Sequence, residues 1–151
     1  GEQTLDRLYS PNAIATPDRR NAVRAKANID TMIATARAQL GKKYILGNEG
    51  PNTFDCSGLV YYCLRQAGSN RYSAAGYSQV SDWDKITSMS NLKRGDLIFF
   101  WNKARTKVGH VGIYIGNGTM IDASSHNGKV IKRSCFTSYW RGVFVCGRRP
   151  W

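Results

Sequence analysis

The chain has 151 residues, 42% of them hydrophobic and 21% charged, which suits one globular domain with a real core and excludes a disordered or fibrous chain. Its 22 basic against 10 acidic residues leave a formal charge of +12, a field that draws polyanions such as nucleic acid, anionic lipid or an acidic cell wall. The basic residues are scattered, with no basic helix and no nucleic-acid-binding motif, so nucleic acid is not an expected partner. No apolar run approaches the roughly 18 residues that span a bilayer, so no transmembrane segment is expected. The chain begins with Gly1 rather than Met, as a processed chain does, so the lack of a legible signal peptide says little about export.

Residues 1–15 show no periodicity and are expected to form an extended arm. "TPDRR" reads as a helix start, with Thr16 as N-cap, Pro17 at the first helical position and Asp18 in the first turn. Ile29, Met32, Ile33, Ala36 and Leu40 then recur at helical spacing, and Gly41 is a plausible stop. Residues 42–53 contain Gly47, Gly50 and Pro51 and are expected to be a loop. The next helix begins at Cys56 with Asp55 as cap, shows Leu59, Val60, Cys63, Leu64 and Ala67 on one apolar face, and stops at Gly68. Residues 69–95 are polar and irregular, with a short helix expected around 78–84. From Arg94 onward the pattern is of strands: 96–101, 110–116, 119–124, 129–134 and 142–148, short, β-branched or aromatic, and separated by turn residues. Helices followed by consecutive strands predict an α+β fold with a five- to six-stranded antiparallel sheet.

Four cysteines, at 56, 63, 135 and 146, include no CxxC pair, and two histidines are too few for a zinc site. Cys56 and Cys63 stand two helical turns apart, about 10 Å, too far for a disulfide. Cys135 and Cys146 can pair if their strands are neighbours. Cys63 has the place of a core residue. Cys56 sits in a first helical turn, where free N–H groups and the helix dipole favour a thiolate, and is expected to be partly exposed and reactive.

A nucleophilic thiol needs a base near it in space. His110 opens a strand that would hold it still, whereas His126 lies in the turn-like "SSHNG", where solvation suffices; His110 is the better base. The base needs an acceptor in turn. A three-residue loop at "GNG", 116–118, sets residue 115 opposite 119 and 112 opposite 122, so that His110 and Asp122 share a face as diagonal neighbours. A two-residue loop reverses that parity unless a bulge restores it. Asp122 also interrupts the apolar "TMIDAS", and a carboxylate there needs a partner.

"GKKYILGN", "FDCSGLVYYCL", "RGDLIFFW" and "GHVGIYIGNGTMIDASS", in this order and spacing, resemble the NlpC-type bacterial cell-wall cysteine peptidases over about residues 29–148. The resemblance implies a papain-like core over 29–151, with 1–28 as an N-terminal arm or helical extension. It implies a secreted or wall-associated enzyme, monomeric and without cofactor or metal, that cleaves peptidoglycan stem peptides between D-γ-glutamate and the diamino acid. Carried over, Cys56 is the nucleophile and His110 the base. Tyr44 places its hydroxyl at the oxyanion site beside the Cys56 N–H, and Asp55 and Ser57 help form the substrate cleft. The family's third position is most often His; here it is Asp122, with His126 as a nearby alternative. Two other functions remain in view: a peptidoglycan amidase with the same Cys–His chemistry, and a catalytically idle module that binds an anionic wall.

Overall fold

The computed structural model of the protein describes Thr16 and residues 18–151; the expected arm over 1–15 and Pro17 lie outside the described residues. Helix α1 runs from Ala22 to Ala38 and buries Ala25, Met32, Ile33 and Ala36. Its cap is Asn21, whose side chain accepts from the Arg24 N–H at 3.1 Å, not Thr16 as expected. Asp18, with φ of 67°, turns the chain between the two. Thr16 is instead fully buried. Its hydroxyl donates to the Pro150 carbonyl at 2.7 Å and accepts from the Trp83 indole N–H at 2.9 Å. The long-range partners win because both would otherwise be orphaned. Thr16→Val, which keeps the shape but deletes both bonds, is expected to cost about 2 kcal/mol in denaturant unfolding. Leu40, expected on the apolar stripe, falls beyond the helix end and is 40% exposed. Gly41, at φ of 88°, makes the turn there, and its N–H bonds the Val130 carbonyl.

The expected loop over 42–53 contains two short strands, β1 (Lys43–Tyr44) and β2 (Thr53–Phe54). Helix α2 spans Cys56–Leu64 and passes through a 3-10 turn, Arg65–Ala67, to Gly68 at φ of 85°, as the sequence predicts. The next helix lies earlier than expected: α3 is Ala74–Ser78, started by Ser73, whose hydroxyl accepts from the Gly76 N–H. Strand β3 (Asp84–Ile86) follows, then β4 (Leu97–Trp101), β5 (Val108–Gly116), β6 (Thr119–Ser124) and β7 (Lys129–Ser134). A helix unseen in the sequence, α4 (Ser138–Val143), precedes β8 (Phe144–Arg149).

The strands form one eight-stranded sheet in the order β2-β1-β7-β6-β5-β4-β8-β3, antiparallel except for the β1–β2 pair. The expected five to six strands become eight because β1, β2 and β3 have only two or three residues each, too few to display alternation. Alternate residues of β4 face two apolar layers. Leu97 and Phe99 join α1, α2 and α3 through Met32, Ile33, Leu59, Leu64 and Tyr77. Ile98 and Phe100 join Tyr114, Met120 and, from α4, Trp140. Cys63 is core, as expected. Cys146 belongs to the first layer and Cys135 to the second, so a disulfide between them is ruled out by the sheet that separates them; all four thiols are free.

The β5–β6 hairpin has a two-residue turn, not the three-residue loop expected. Gly116 pairs with Thr119 around Asn117 and Gly118, both at positive φ, the conformation of a type I′ turn. A bulge at Ile115 then restores the parity, so Tyr114 faces Met120 and Ile113 faces Ile121. His110 and Asp122 therefore do share a face.

Candidate active site

Asp55 organises the start of α2. One carboxylate oxygen accepts from the Gly58 N–H at 2.7 Å and the other from the Gly47 N–H at 2.7 Å. Arg71 stands 3.4 Å from the first oxygen and 3.1 Å from Glu49. One side chain thus caps the helix and pins the 45–50 loop against it. Ser57 is fully buried, with its hydroxyl 3.5 Å from the same carboxylate. Both residues lie beneath the surface, at the junction of that loop with the helix. Tyr44 is half-buried on β1 and pairs with Phe54, two residues before Cys56, which brings it to the same end of α2.

Cys56 is only 5% exposed, less than expected, because α2 packs on β5 and β6 and draws its first turn into the core. Its side chain interacts with the His110 ring. His110 in turn hydrogen-bonds through Nε2 to the Asp122 carboxylate at 2.7 Å, which leaves Nδ1 for the thiol. His126 is exposed in the β6–β7 loop, and the partner of His110 is Asp122. Burial by itself would lower the His110 pKa; the bond to Asp122 and the interaction with Cys56 outweigh it and raise it to about 9. Burial would push the Asp122 carboxyl up, but His110 and then Arg133 hold it below its ordinary value.

Arg133, which no motif in the sequence singles out, grips Asp122 from β7. Its Nε donates to Oδ1 at 3.1 Å and a terminal nitrogen donates to Oδ2. Its guanidinium lies 4.6 Å over the Trp140 ring. Trp140 stacks on His110 at 5.7 Å, and Phe100 flanks the imidazole at 6.0 Å. The imidazole is thereby fixed by a carboxylate and two rings, and the carboxylate by a cation. The register of the second hairpin was the available signal: Asp122 faces Ile131, and Arg133 lies two residues on, on the same face. A cleft of about 800 Å³ borders His110, walled by the β4–β5 and β6–β7 loops and α4.

A helix-borne cysteine set against a strand-borne histidine on an antiparallel sheet defines a papain-like α+β core. The chain belongs to the NlpC/P60 family, whose model matches residues 41–149. It is 35% identical over 133 residues to the murein DD-endopeptidase MepH of Escherichia coli, covering 85% of this chain and 49% of MepH. It is 32% identical over 123 residues to the probable peptidoglycan endopeptidase LytE of Bacillus subtilis, covering 81% of this chain and 34% of LytE. The chain thus spans half or less of the length of these relatives. Among solved structures it resembles the peptidoglycan hydrolase RipB of Mycobacterium tuberculosis, with a TM-score of 0.70 at 27% identity, over 99% of this chain and 78% of RipB.

Proposed function

We propose that this domain is a peptidoglycan hydrolase, a cysteine endopeptidase that cleaves stem peptides between D-γ-glutamate and the diamino acid. The observation that carries the reading is the bond of His110 Nε2 to the buried Asp122 at 2.7 Å, with the Cys56 side chain interacting with the same ring. In the thiolate–imidazolium form the sulfur attacks the γ-glutamyl carbonyl. In this reading the oxyanion takes the Cys56 N–H and the Tyr44 hydroxyl as donors, the kind of pair that stabilises charge developing in the transition state. His110 gives its proton to the departing amine, the C–N bond breaks, and a thioester remains. Water then loses a proton to His110 and attacks the thioester, releasing the glutamyl carboxylate and the thiolate. Asp122 stabilises the imidazolium at both stages, and Arg133 keeps Asp122 ionised and oriented. Stem peptides lie outside the bacterial cytoplasmic membrane, so the domain acts there, as part of a secreted or wall-associated protein. Its charge of +12 favours residence on an anionic wall.

The test is digestion of purified peptidoglycan with wild type and Cys56→Ala, followed by mass spectrometry of the products. Wild type is expected to create γ-glutamyl C-termini, and the variant to lose at least about a thousandfold of that rate. New D-alanyl C-termini would instead place the cut at the peptide cross-link, the bond class in the name of MepH. Intact stem peptides freed from glycan would identify an amidase. No new termini at all would leave an idle wall-binding module.

A further inference from the structure

The cleft beside His110 has features that the chemistry of Cys56, His110 and Asp122 does not use. The end of β4 lends it Trp101, the β4–β5 loop Lys103 and Arg105, the β6–β7 loop His126, and α4 Tyr139 and Trp140. Among the described residues no acidic side chain lines it. Lys103 and Arg105 form no ion pair among the described residues.

Arg105 is held there by its backbone and its neighbours. It has φ of 57°, the left-handed region that a non-glycine residue occupies at a cost. The Asn102 side chain braces that turn by accepting from the Thr106 N–H at 2.9 Å and donating to the Thr106 hydroxyl at 3.0 Å. The Arg105 guanidinium reaches across to the Gly142 carbonyl at 3.2 Å, which ties the loop to α4 and leaves its remaining donors unsatisfied by carboxylate. On the same walls Trp101 is 37% and Tyr139 67% exposed, two large apolar surfaces without cover. Two unpaired cations, uncovered rings and no acid make a site for an anionic chain with apolar stems.

His110 fixes which chain. It protonates the departing amine, so the space it borders lies on the leaving-group side of the cut bond. We infer that this cleft holds the leaving-group half of the substrate, from the diamino acid onward, and that Lys103 and Arg105 recognise a free carboxylate on that half. This rests on the endopeptidase reading.

The test measures affinity without turnover. Two stem peptides, one ending in a free carboxylate beyond the diamino acid and one amidated there, are titrated into the Cys56→Ala protein by calorimetry. The carboxylate peptide is expected to bind about fivefold tighter, the scale of two half-exposed ion pairs. Arg105→Gln and Lys103→Gln, combined in that background, are expected to remove the difference. Lys132→Gln, on the opposite face of β7 from Arg133, is expected to retain it, which separates the cleft from the general +12 field. Equal affinities, no binding of either peptide, or a preference that survives the double substitution would each overturn the inference. Digestion by wild type is scored in parallel. A wild type that cuts the γ-glutamyl bond but shows no carboxylate preference overturns the inference alone. A wild type that never cuts that bond overturns the endopeptidase reading, and the affinity ratio still decides the preference of the cleft.

Discussion

Asp122→Asn is expected to lower kcat/KM on stem peptides by about ten-thousandfold, the scale seen when the acceptor behind a catalytic imidazole is made an amide. The amide is nearly isosteric, so the loss comes from electrostatics. The carboxylate raises the proton affinity of His110, and together with Cys56 brings its pKa to about 9 against the opposing effect of burial. Without it the imidazolium is less favoured and the thiolate–imidazolium form is populated over a narrower range. The alkaline limb of the wild-type pH–rate profile is therefore expected near pH 9, and the limb of the variant at lower pH. The same shift governs stability. A group whose pKa is higher folded than unfolded stabilises the fold fully below its unfolded value, here the ordinary 6.5, and loses that contribution as pH rises through about 9. Wild-type unfolding free energy is expected to decline across this window, and the decline to flatten in the variant. NMR titration of the two histidine rings checks the premise directly. A His110 ring that titrates near 6.5 in wild type, or that Asp122→Asn leaves unmoved, would show that the coupling is not there. The variant also strips Arg133 of its buried counter-charge, so some general destabilisation accompanies the loss of rate.

Gly58→Ala is expected to destabilise the domain by about 3 kcal/mol or more and to abolish activity with it. Two effects compete. Alanine favours a helix over glycine by about 1 kcal/mol. Against that, a Cβ at this position would stand 2.0 Å from the Asn48 carbonyl oxygen and 2.8 Å from the Asp55 carboxylate. The first is backbone, itself held by the Asp55 N–H at 2.8 Å, so it cannot swing aside. Either α2 lifts, moving Cys56 from His110, or the 45–50 loop lets go of its cap. The steric term wins because both contacts sit on the same short junction. Gly142 in α4 is the control: a Cβ there meets nothing within 4 Å, and Ala is expected to be neutral or stabilising by up to about 1 kcal/mol. Denaturant midpoints decide it; a Gly58→Ala protein with the wild-type midpoint would contradict the close approach.

Local chemistry made some of this protein legible in its sequence. Asp55 is a cap because its side chain reaches an N–H three residues on, and Gly68 is a stop because few other residues adopt its φ. The shared face of His110 and Asp122 follows from the period of two along a strand. The hairpin reached that parity by a turn and a bulge rather than by the expected three-residue loop. "DCSG" marks a tight helix start for the same local reason, although only the packing of Asn48 against Gly58 shows why its glycine is needed.

Other features exist only once distant segments meet. Thr16 prefers Pro150 and Trp83 to the helix beside it, and β1 and β2 are strands only because β7 offers an edge. Six residues at 138–143 carry no readable period, yet as α4 they bring Trp140 onto His110. Arg133 looked like one more scattered cation until a second hairpin set it against Asp122. The depth of Cys56 was likewise decided by the sheet under α2. By itself the sequence determined the residue types, their spacing and the faces they share, since these depend on bonds and periods within a few residues. The tertiary structure decided burial and the partners of buried charge, because both depend on which remote surfaces exclude water together.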